Sequence, residues 1–122
     1  MIGLFLALQA AAPTPAPPAD WSALPPLRLT TTPDYAALMT PFVHGEVAGG
    51  RCPTGGKSAV TIDLALLVSK TGDVLRIVPR AINCPTVEQF AAGVVQKAAR
   101  GNLAGAAPAS DSWYRTGMTL NW

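Results

Sequence analysis

Histidine and cysteine are almost missing from this chain, which has one of the first (His44) and two of the second (Cys52 and Cys84). Structural zinc sites take most of their four ligands from Cys and His, so the donors for one are too few. Charge is also scarce, at 13% of residues. Nine Lys/Arg stand against seven Asp/Glu, a formal net charge of +2. The cations lie singly along the chain, so the dense basic face of a nucleic-acid partner is absent. Nor is there an apolar run long enough to cross a bilayer. Residues 1–12 would form a helix roughly 18 Å long against a hydrocarbon core of about 30 Å. No stable membrane span is expected.

What is present is 49% hydrophobic residues in 122, enough for one packed domain. The twelve prolines are unevenly spread and crowd the first quarter of the chain. Residues 1–12 read as a signal peptide or apolar N-terminal segment, with the small Ala10, Ala11 and Ala12 where a signal peptidase cuts. Residues 13–31 read as a Pro-rich linker, since proline at this density favours extended polyproline II. Residues 32–122 form the single domain. Export places the protein in the periplasm or outside the cell, where Cys52 and Cys84 are expected to form one disulfide.

The domain has sharp local periodicities. Val60, Ile62, Leu64, Leu66 and Val68 alternate with Thr61, Asp63, Ala65, Leu67 and Ser69, the pattern of a strand with one buried face. Lys70, Thr71, Gly72 and Asp73 make a turn, and residues 74–80 return as the second strand of a hairpin. Pro79 lacks an N–H, which puts that strand at a sheet edge or ends it. Val87, Phe90, Ala91, Val94, Val95 and Ala98 then fall on one helical stripe. Thr86 to Gln89 fits a capping box, and Gly101 stands where a left-handed C-terminal cap belongs. Residues 102–112 are a loop, and 113–122 alternate as a third strand. Thr32, Pro33 and Asp34 open a short helix ending near Thr40, with Thr32 as its cap, and Gly45 to Gly56 reads as loop. The expected fold is therefore α+β, a two-layer ββαβ (split βαβ) arrangement. Its three-stranded antiparallel or mixed sheet has the order second strand, first strand, C-terminal strand.

Few constellations suggest chemistry. Gly55, Gly56, Lys57 and Ser58 echo a phosphate-binding loop, but Arg51 stands where its first glycine belongs, and a strand follows where a helix is required. Asp63 and Glu88 are ordinary on a polar strand face and a first helical turn. Cys84, just before a helix, is the candidate nucleophile of a thiol-dependent enzyme, with His44 as its base. The disulfide reading competes with it. Arg76, Arg80 and Arg115 fall on strands and suit a solvated face. Trp113, on the opposite parity from Tyr114 and Trp122, is expected to be partly exposed on an edge strand, a placement that suits peptide binding by strand addition.

The hairpin of residues 60–80 with its Thr71-Gly72-Asp73-Val74 turn, the helix 86–100, the loop with Pro108 and the final alternation Met118, Leu120, Trp122 together resemble the TonB carboxy-terminal domain family. The resemblance covers about half of the chain and lies in patterns of fold. It implies an exported two-layer α/β domain, no catalytic residues and no cofactor. It also implies an extended peptide or envelope-protein partner engaged along the last strand. The candidate partner-binding residues are Trp113, Arg115, Gly117, Thr119 and Asn121. Residues 101–105 replace the family's aromatic-and-proline helix ending, and the N-terminal stretch is short for an anchor plus an envelope-spanning linker. A free-standing binding or accessory domain is thus expected. The alternatives are the Cys84 enzyme and a purely structural secreted domain.

Overall fold

The computed structural model describes residues 15–122. The apolar segment 1–12, with its reading as a signal, lies outside them. A 3-10 turn (Trp21–Ala23) is followed by α1 (Tyr35–Ala48), β1 (Ala59–Val68), β2 (Val74–Pro79), α2 (Pro85–Ala99) and β3 (Ser112–Asn121). The three strands make one antiparallel sheet in the order β2-β1-β3. β2 and β3 thus run parallel on either side of β1, joined through α2, as in the expected split βαβ unit. β2 is an edge strand that ends at Pro79.

One face of the sheet carries both helices. Ile62, Leu64 and Leu66 of β1 and Met118 and Leu120 of β3 bury against Val87, Ala91 and Val95 of α2 and Met39 and Val43 of α1. Phe42 of α1 stacks on Phe90 of α2 with centroids 4.2 Å apart and planes 9° from parallel. The apolar stripe of α2 is therefore shared: its centre meets the sheet, and Phe90 at its flank meets α1.

Several local expectations are corrected. α1 is capped by Asp34, whose carboxylate accepts the Ala37 N–H at 3.1 Å, and not by Thr32. It runs on past Thr40, through Pro41 and Gly45, to Ala48. Pro41 removes only the bond to the Ala37 carbonyl, and burial of Met39 and Val43 on either side of it holds the helix. The loop expected from Gly45 starts at Gly49 instead. α2 begins at Pro85, with Cys84 at the N-cap, so Thr86 does not cap it. Its hydroxyl donates to Glu46 of α1 at 3.2 Å. The carboxylate of Glu88 reaches back and accepts the N–H groups of Ile82 (3.0 Å) and Cys84 (3.1 Å), satisfying orphan donors before the helix. Gly101 takes the left-handed conformation expected of it (φ 63°).

β1 also departs from expectation: Ala65 and Leu67 on its second face are buried, 0% and 4% exposed. Their neighbours on that face are Arg76 and Val78 of β2 and Trp113 and Arg115 of β3. The supposed linker crosses above them. Arg76 donates to the Pro15 carbonyl at 2.8 Å, and Arg115 Nε donates to the Leu24 carbonyl at 2.9 Å. The far end of that face, around Thr61 and Asp63, is open to solvent.

Cys52 and Cys84 form a disulfide with Cα atoms 4.9 Å apart. It ties the segment after α1 to the start of α2, and both residues are buried. Closing a loop across 32 positions is worth about 4 kcal/mol on the chain-entropy model. Replacing both cysteines by alanine is expected to remove most of that, measured by urea denaturation. A loss below about 1 kcal/mol would mean that packing of α1 on α2 already supplies the constraint.

Candidate functional site

Alternation along β3 decides which of its main-chain groups face outward. The N–H of Arg115 donates to the Pro25 carbonyl at 2.9 Å, and its carbonyl accepts the Leu27 N–H at 2.7 Å. Residue 115 therefore points its polar backbone away from β1. By the period of two, Trp113, Gly117, Thr119 and Asn121 do the same. All five candidate residues thus share one edge, with their side chains on the sheet face away from the helices.

They do not share one environment. Trp113 is half-buried opposite Leu67. The backbone of Arg115 is engaged by residues 25–27, which add to β3 as a one-residue parallel bridge at Pro26. Gly117, Thr119 and Asn121 are exposed, and no further main-chain bond reaches their outward groups among the described residues. Thr119 Oγ1 lies 3.0 Å from Thr61 Oγ1 across the β1 pairing. Gly117 pairs with Asp63, and a Cβ at residue 117 would sit 2.7 Å from Asp63 Oδ1.

The bridge does not extend in either direction. In the parallel pattern the next bond back needs an N–H at residue 25, and Pro25 has none. Ahead of the bridge the Leu27 carbonyl and Leu29 N–H, the groups the same pattern would offer Gly117, make no bond there, and the segment's other edge is paired instead. The Arg28 carbonyl accepts from Ala104 N–H (2.9 Å) and Thr30 N–H donates to the Asn102 carbonyl (2.8 Å), so Leu29 pairs antiparallel with Leu103. The Asn102 side chain fastens this corner. Its Oδ1 accepts the Thr31 N–H at 3.0 Å, and its Nδ2 donates to the carbonyls of Thr31 (2.7 Å) and Ala98 (2.9 Å).

Beside the edge lies a polar groove of about 470 Å³ between Trp21, Asp63, Arg80, Arg115 and Gly117. The Arg80 guanidinium sits 4.4 Å from the centroid of the Trp21 ring, a cation–π contact that helps hold residues 15–31, the strap over this face, in place. Sequence reasoning passed over Leu24, Leu27 and Asn102. Its one usable signal was the pair of leucines flanking Pro25 and Pro26, apolar anchors in a stretch otherwise suited to a spacer.

No protein-family model, curated protein or solved structure matches the chain. The sulfur of Cys84 is committed to Cys52. It lies 4.0 Å from the Arg51 carbonyl and from Thr86 Oγ1, while His44 stacks on Trp122 with centroids 6.1 Å apart. Among the described residues no group of three His, Cys, Asp or Glu is placed to hold a metal ion. No helix among them is long and apolar enough to cross a membrane.

The turn that carries Trp21 is capped by Asp20, which accepts from the Ser22 hydroxyl at 2.6 Å and the Ser22 N–H at 3.0 Å. These bonds, the hydroxyl's first, hold its carboxyl below the ordinary aspartate value, with a smaller contribution from Arg80. A depressed pKa means the cap is in place above the unfolded value and is lost as pH falls through the folded one. The Ser22 amide signal is expected to titrate with a midpoint below that of a free aspartate and to stop titrating in Asp20→Ala. A midpoint at or above the free value would contradict the cap.

Proposed function

We propose that this domain is an exported binding or accessory module that takes up an extended segment of an envelope protein by strand addition along the outer edge of β3. The observation that carries the reading is the exposed main-chain edge at Gly117, Thr119 and Asn121. It continues directly from Arg115, where an extended segment of the chain itself is already added. Main-chain bonds along such an edge supply affinity, and alternate side chains supply selectivity. The opposite edge of the sheet is a poorer template, because Pro79 lacks the N–H its outward position would offer. The resemblance of the hairpin, α2 and β3 to the TonB carboxy-terminal family points to the same edge. A disulfide suits an oxidising compartment such as the periplasm.

The test begins with a displayed library of random peptides selected against the full chain, followed by amide-shift mapping of the selected peptide. Shifts are expected at Gly117, Thr119 and Asn121, and shifts confined to the helices would overturn the reading. Thr119→Pro removes one outward N–H and leaves the main-chain bonds to β1, losing only the Thr61 hydroxyl contact, which Thr119→Val loses as well; it is expected to weaken the selected peptide at least about ten-fold. Thr119→Val, which keeps that N–H, is expected to bind within about two-fold of the parent. Equal losses in the two variants would contradict a main-chain contact.

A further inference from the structure

We infer that residues 24–31 act as a built-in competitor for the β3 edge. A partner strand that pairs with more than the stretch 117–121 must first lift Pro25 and Leu27 off Arg115. This regulation rests on the strand-addition reading, and it follows from how the strap is held.

The strap meets β3 through one bridge that grows in neither direction. Pro25 withholds the N–H that would reach back to Trp113. The Leu27 carbonyl and Leu29 N–H, which the pattern would offer to Gly117, make no bond to it, while Arg28 and Thr30 pair the strap's other edge with Ala104 and Asn102. Two main-chain bonds and the Arg115 Nε bond to Leu24 hold the strap at the edge. A partner strand that ran the length of β3 would instead meet outward groups at five residues, 113 to 121 in steps of two. The exchange therefore gains ladder bonds, and its cost is set largely away from the edge, at Asn102 and at the Trp21–Arg80 contact. Asn102 joins the strap to the end of α2 through Ala98, so it governs how readily the edge opens without lying on it.

The probe is a synthetic peptide of residues 21–27, which lacks the Thr30 and Thr31 contacts to Asn102, titrated into three isotope-labelled forms of the full chain. These are the parent, Asn102→Ala, and a locked form in which Leu29→Cys and Leu103→Cys, directly opposite in the antiparallel bridge, are joined. Asn102→Ala is expected to bind the peptide at least about ten-fold more tightly than the parent, with shifts at Trp113 and Arg115. The locked form is expected to show no shift at either residue. Equal affinity in all three forms, or no shift at Arg115 in Asn102→Ala, would overturn the competitor. If Asn102→Ala does not fold, the parent and locked forms decide: binding at Arg115 in the parent alone supports the inference, and equal behaviour overturns it. Shifts restricted to 117–121 and equal in every form would sink the competitor while leaving strand addition intact.

Discussion

An edge strand must find partners for a row of main-chain donors and acceptors, and β3 meets that demand unevenly. At Arg115 both groups are bonded to the chain's own residues 25 and 27. Two residues further on the row lies exposed. Burial of β1 on both sides makes this edge stable enough to matter. Its helix face packs under α1 and α2, and its second face is covered at Ala65 and Leu67 by the strap. A strand gripped in that way fixes the register of β3 over ten paired positions. The outward groups then stand at regular spacing on a rigid support.

Strap and sheet depend on each other. Beside buried Leu24 and half-buried Leu27, the strap is held by Arg76 and Arg115 of the sheet, by Asn102 just after α2 and by the contact of Arg80 with Trp21. In return it covers the half of the second face that carries Leu67 and leaves bare the polar half that carries Thr61 and Asp63. Its prolines suit this role, since polyproline backbone arrives already extended and loses little entropy on docking. The same prolines limit how far it can zip along β3.

The sheet and α2 were legible because each obeys a single period. The turn at Gly72 and the stripe from Val87 to Ala98 agree with the packing, and alternation from Val60 to Val68 marks the helix-facing side of β1 but not the burial of Ala65 and Leu67 on the other. α1 was legible only at its start. Its buried residues, Met39 and Val43, lie within a sequence that is apolar nearly all round, and Pro41 and Gly45 are ordinary breakers that tertiary packing overrides. The strap was illegible for a related reason: composition marks proline-rich sequence as a spacer, and docking is decided by partners more than forty residues away in Arg76, Asn102 and Arg115. The edge residues could be chosen by parity alone. That Arg115 was already occupied could not, because its partners are backbone atoms of another segment.

The most direct test of the account is residue-by-residue amide hydrogen exchange along β3 in the full, unliganded chain. Protection is expected at Thr116, Met118 and Leu120, which face β1, and at Arg115, which faces the strap, with fast exchange at Gly117, Thr119 and Asn121. Uniform protection through 121 would mean that the edge is already covered. Fast exchange at Arg115 would mean that the strap does not hold it.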